Sequence, residues 1–101
     1  MEAELSVPVI WVENGGAPRA GRADLTAVGV HLDGGSRAER RTLDLAYAEI
    51  EAVRIGRDGS DRIDGRRAVV LTLRSGREVS FVAFDRPGAV LELAHRLEER
   101  I

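Results

Sequence analysis

The sequence predicts a mainly β domain, a seven-stranded curved antiparallel sheet or partly open barrel capped by one C-terminal α-helix. Three observations carry this expectation. Residues 67–84 read Arg-Ala-Val-Val-Leu-Thr-Leu-Arg-Ser-Gly-Arg-Glu-Val-Ser-Phe-Val-Ala-Phe, two alternating strands about a tight turn. Closing that turn at Arg74-Ser75-Gly76, with Gly76 left-handed, sets Leu71 opposite Val79 and Val69 opposite Phe81. The register gathers Val69, Leu71, Leu73, Val79, Phe81 and Ala83 on one face and leaves Thr72, Glu78 and Ser80 on the other. A slip by one would bury Glu78 and Ser80. Second, Val90, Leu93, Ala94, Leu97 and Ile101 fall on one helical stripe. Third, five apolar segments of strand length precede the hairpin. A curved sheet of that size leaves one end of its core open, and a single helix with one apolar stripe closes it.

Taken in order, the first strand is expected over residues 6–13, which are dense in Val and Ile; Pro8 suggests an edge position or a strand beginning. Trp11 within it is either core or an interface residue on an edge that joins a partner chain. Residues 14–21, Asn-Gly-Gly-Ala-Pro-Arg-Ala-Gly, break the pattern. Two strands follow over 22–27 and 28–33, with Leu25, Val28, Val30 and Leu32 apolar and Gly29 a bend or bulge. Gly34-Gly35-Ser36 ends the pair. Leu43, Leu45 and Tyr47 alternate in a fourth strand, and Val53 and Ile55 in a fifth. Ile50 is out of phase with Val53, so residues 48–52 contain a kink or short turn. Residues 56–66 form a polar loop, long for a compact domain. After the hairpin, Asp85 caps the helix, Pro87 occupies its first turn, and Glu92 and Arg96 make an outward i, i+4 pair.

Composition narrows the function classes. At 101 residues the chain has room for one domain, whose core removes roughly 65% of the unfolded surface from water. With no cysteine there is neither a disulfide framework nor a thiolate nucleophile. All 15 basic residues are arginine, which excludes lysine Schiff-base chemistry. Residues 1–50 carry a net charge of −3 and residues 51–101 a net +1, so neither half is a polycation. Only Trp11, Tyr47, Phe81 and Phe84 are aromatic, and the total charge is −2, a poor match for nucleic acid. No run approaches the ~20 apolar residues of a transmembrane helix, and the acidic start is unlike a signal peptide, so a cytoplasmic location is expected.

In this order of elements the chain resembles the pleckstrin-homology-like superfold, particularly its GRAM-type and bacterial members. The resemblance lies in residues 25–32 (Leu-Thr-Ala-Val-Gly-Val-His-Leu), in residues 45–53 (Leu-Ala-Tyr-Ala-Glu-Ile-Glu-Ala-Val), and in residues 69–84 followed by Asp85-Arg86-Pro87 and the helix. It covers about residues 22–101 and consists of packing patterns rather than chemistry. It implies a single PH-like domain over residues 1–101. In members that bind phosphoinositides, basic residues hold the ligand in the loops after strands one and three and between strands six and seven. By that resemblance those loops carry Arg19 and Arg22, then Arg37, Arg40 and Arg41, then Arg74 and Arg77. Seven guanidiniums near one rim would bind phosphate through forked hydrogen bonds. Asp24, Asp33 and Glu39 stand among them.

The remaining polar residues suggest little chemistry. Residues 58–65 hold three aspartates, but Arg62 stands where calcium requires an oxygen ligand and no glutamate follows at the right distance. His31 and His95 are isolated, so no metal site and no cofactor are expected. Ser75 and Ser80 lack a histidine at motif spacing, and no enzyme is expected. Two function classes remain. One is a non-catalytic binding module recruiting a protein, a peptide or an acidic headgroup through loops or a sheet edge. The other is a structural protein whose main act is self-association, most often as a two-fold homodimer.

Overall fold

The computed structural model describes residues 3–56, 62, 63, 65–84 and 86–101. Among the described residues nine strands run in chain order, β1 (Leu5–Glu13), β2 (Arg19–Leu25), β3 (Gly29–Gly35), β4 (Arg40–Ala46), β5 (Ile50–Ile55), β6 (Arg62–Ile63), β7 (Arg66–Arg67), β8 (Val69–Leu73) and β9 (Glu78–Ala83), followed by helix α1 (Pro87–Arg100). Seven of them form one antiparallel sheet in the order β4-β3-β2-β1-β9-β8-β5. This sheet curls into a half-barrel sweeping 212°. No helix among the described residues is long and apolar enough to cross a membrane.

The β8–β9 hairpin has the register that its pattern predicts, with Val69 opposite Phe81 and Leu71 opposite Val79. Gly76 has φ +91°, its amide bonds back to the Leu73 carbonyl, and the Leu73 amide bonds to the Arg77 carbonyl. That is the three-residue turn with a glycine bulge, which only a residue tolerant of positive φ closes without strain. All six residues assigned to the inner face are buried. They join Val7, Val9, Trp11, Leu25 and Leu32 from β1 to β3 in one core. Helix α1 packs on β1, β5, β8 and β9 through Val90, Leu93, Ala94 and Leu97. Ile101, at the helix C-cap, is 44% exposed, so the stripe ends at Leu97.

Several local expectations are corrected. Strand β1 is central, pairing with β2 from Leu5 to Trp11 and with β9 from Val9 to Glu13. Pro8 is tolerated there because its carbonyl accepts from the Phe84 amide on the β9 side, so its missing donor also faces that side, just beyond the end of the ladder. Trp11 is fully buried within the chain, which removes the interface reading of an edge strand. Val28 is 62% exposed in the β2–β3 turn, and Gly29 starts β3 opposite Ala46 with no bulge. Its glycine is required all the same, since a Cβ there would lie 2.0 Å from the Leu45 carbonyl oxygen.

Tyr47 leaves β4 and opens a 3-10 turn (Tyr47–Glu49), after which β5 shifts register between Ile50 and Ala52. The kink expected over residues 48–52 is therefore present. Among the described residues of the expected 56–66 loop, Arg62 and Ile63 form β6 and pair with β7. Its Ile63 packs with Ala68 and Val82 in a second small core, flanked by Ile10 and Val12. Asp58, Asp61 and Asp64 of the calcium reading lie outside the described residues, as does Asp85. The helix N-cap position is held by Arg86, whose side chain makes no capping bond, with Pro87 at the first helical position.

Two substitutions test this packing. Leu97 is fully buried, so Leu97→Ala should lower unfolding free energy by about 2–5 kcal/mol in urea melts. A loss under about 0.5 kcal/mol would mean that the helix does not close the core. A Cβ on Gly34 would stand 2.7 Å from Trp11 Nε1, so Gly34→Ala should cost about 1–3 kcal/mol and shift the tryptophan emission. An unchanged spectrum and stability would place the indole elsewhere.

Candidate functional site

The seven arginines do not converge. Arg19 and Arg22 lie on β2, and Arg40 and Arg41 begin β4, so strands carry four residues expected in loops. Strand alternation then divides them between faces. Arg19 is in phase with Ala23 and Leu25 and stands opposite Trp11, its guanidinium 5.6 Å from the indole centroid. Arg41, in phase with Leu43 and Leu45, reaches Glu13 with a fork of 3.0 and 2.8 Å, and Arg77 reaches the same carboxylate at 2.6 Å.

Glu13 is in phase with Val9 and Trp11, and its side chain is only 10% exposed. The hydrogen bonds from Arg41 hold its carboxyl below its ordinary value of 4.5, with the charges of Arg41 and Arg77 adding to the effect against the opposing influence of burial. Two of the candidate arginines are thus neutralised by a carboxylate of the same chain.

Arg22 and Arg40 fall on the opposite, convex face. Arg22 donates to Ser6 Oγ at 3.0 and 2.8 Å, and Arg40 lies 3.5 Å from Asp33. Arg74 sits in the β8–β9 turn and donates to the Ala48 carbonyl at 2.8 Å, tying the hairpin to the 3-10 turn. Arg37 is exposed in the β3–β4 turn. Arg41 and Arg77 therefore meet at Glu13, whereas Arg22, Arg40 and Arg74 are engaged elsewhere.

A different constellation comes together on the convex face. Ser6, Asp24, His31 and Asp44 stand in register across β1, β2, β3 and β4. Ser6 Oγ donates to Asp24, and His31 Nδ1 lies 2.5 Å from Asp44 Oδ1. Beside this row opens a cleft of about 600 Å³, whose lining includes Asp24, His31, Asp44 and Glu49 together with Val28 at its apolar lip. The Glu49 carboxylate also accepts the Ala46 amide at 3.2 Å. Three carboxylates around one depression make it attractive to cations and unattractive to phosphate.

Sequence reasoning missed this row and the role of Glu13. Asp24, His31 and Asp44 alternate with the buried Leu25, Val30, Leu32 and Leu45, which marks each as outward-facing. Their alignment depends on the exact turns at residues 26–28 and 36–39, where the Thr26 hydroxyl accepts from the amides of Val28 and Gly29.

No protein-family model matches the chain, and a search of curated proteins returned no match.

Glu13 generates a stability prediction. Its lowered folded-state pKa adds stability that is present above the unfolded value and is lost as pH falls through the folded one. Glu13→Gln should therefore cost about 1.5–3 kcal/mol at neutral pH, the range for charge-assisted hydrogen bonds. The gap between the two proteins should narrow as pH drops below 4.5. Denaturant midpoints measured across that range check this; a gap independent of pH would show that the carboxylate charge contributes nothing.

Proposed function

We propose that this chain is a non-catalytic binding module of PH-like fold, which recruits a protein or peptide bearing a cationic side chain through the cleft beside β4. The strand order and the closing helix support the PH-like reading, in agreement with the packing patterns of residues 25–32, 45–53 and 69–84. The observation that carries the ligand class is the cleft itself, where Asp24, Asp44 and Glu49 surround one depression with an exposed apolar residue, Val28, at its margin. A concave wall focuses their field, and a guanidinium or ammonium entering it gains charge-assisted hydrogen bonds.

An acidic headgroup is the weaker reading. Arg41 and Arg77 share Glu13, where a phosphate would have to displace an internal carboxylate, and Arg22 and Arg40 project on the other face of the sheet, so the seven guanidiniums do not form one phosphate site.

Calorimetric titration distinguishes the two ligands. An arginine-rich peptide should bind with an affinity that falls as salt rises, and the double substitution Asp44→Asn with Glu49→Gln should weaken it by about tenfold, or ~1.4 kcal/mol. Acidic liposomes should not retain the protein. Retention on liposomes together with indifference to the basic peptide would reverse the assignment.

A further inference from the structure

Strand β4 ends the sheet, and no strand among the described residues pairs with its outer side. The Tyr47 amide donates to the Val28 carbonyl at 3.3 Å, which fixes the phase of the β3–β4 ladder. Arg41, Leu43 and Leu45 therefore direct their backbone groups to β3, while Arg40, Thr42, Asp44 and Ala46 direct theirs outward. Ala46 is already engaged, because its amide donates to Glu49. The open set is Arg40, Thr42 and Asp44, and its midpoint is Thr42.

An antiparallel strand related by a two-fold axis through Thr42 would meet each of these groups. Thr42 would exchange both backbone hydrogen bonds with its own symmetry mate. Arg40 would stand opposite Asp44 of the partner subunit, and the pair would occur twice on the same convex face. Both side chains can be reached from solvent, with Arg40 63% and Asp44 82% exposed, although Asp44 contacts His31 and Arg40 lies 3.5 Å from Asp33 within the chain. Centring the axis on Leu43 instead would set Arg40 against the engaged Ala46 and forfeit both ion pairs. The other sheet edge, β5, is interrupted by a register shift between Ile50 and Ala52, so it offers a less regular ladder to a second copy.

We propose that a second copy of this chain docks on the β4 edge, antiparallel and centred on Thr42, joining the two sheets into one. This inference shares Asp44 with the cleft reading but rests otherwise on backbone groups and on Arg40, and it is tested by association alone, with no cationic ligand present. It also places Arg40 of the partner subunit beside Asp44 at the cleft margin, so that the second copy contributes to one wall.

Sedimentation equilibrium of the full chain, with circular dichroism as the control for folding, tests the proposal. The wild type should sediment at twice its 11.0 kDa mass. Thr42→Pro removes a single outward amide, is compatible with an edge strand, and should yield a folded monomer. Arg40→Asp should weaken the dimer at least about tenfold, and adding Asp44→Arg to it should restore association. A wild type that is monomeric at its highest soluble concentration would overturn the proposal, as would a folded Thr42→Pro dimer. If Thr42→Pro does not fold, the charge swap decides, and failure of the double variant to recover overturns the register.

Discussion

The burial of one indole on the central strand constrains most of what surrounds it. Trp11 is completely enclosed, and its Nε1–H donates to the Asp33 carbonyl of β3 at 2.9 Å. An enclosed ring nitrogen without an acceptor would cost a desolvation penalty of about 1–3 kcal/mol, so β3 must present that carbonyl across β2. It does so because Gly34 has no side chain in the way and because Gly21, directly opposite Gly34, leaves β2 equally bare. A Cβ on Gly21 would meet the Asp33 carbonyl oxygen at 1.8 Å. The close approach of β1, β2 and β3 around the ring thus requires two residues without side chains, while the Arg19 guanidinium lies over the indole.

The elements most legible in the sequence are those whose local signals agree with one another. In residues 69–83 the two-residue alternation, the turn glycine and the cost of burying Glu78 all select one register, and no distant partner is needed to choose it. The helix is legible for the same reason, down to the outward pair of Arg96 and Glu92 at 3.1 Å. Pro8 misleads because a proline reports only a missing donor. Which side of the strand lacks a partner depends on where β9 stops, some seventy residues later. Val28 misleads because its phase continues that of the strand, whereas the hydroxyl of Thr26 has already turned the chain.

The candidate site was less legible, and the arginines explain why. A guanidinium's residue type announces a fork of donors without saying whether a ligand or the protein itself will fill it. Here Glu13, Ser6 and the Ala48 carbonyl fill four of those forks wholly or in part, and each acceptor is remote in sequence from its donor. The row of Ser6, Asp24, His31 and Asp44 was hidden for the converse reason. Its members are individually unremarkable outward residues, and their adjacency is set by turn lengths rather than by any motif.

Arg100 at the end of α1 forks onto the Glu4 carboxylate, and it also donates to the Tyr47 hydroxyl at 3.1 Å and the Thr26 carbonyl at 3.2 Å. Residues 4 and 100 are therefore neighbours in space while lying almost the whole chain apart. The pair is partly exposed, with side chains 32% and 38% accessible, and it adds to the tie that β1 and α1 already make through the core. Order at the first strand and order at the last helical turn are consequently coupled, by a shared core and by this contact.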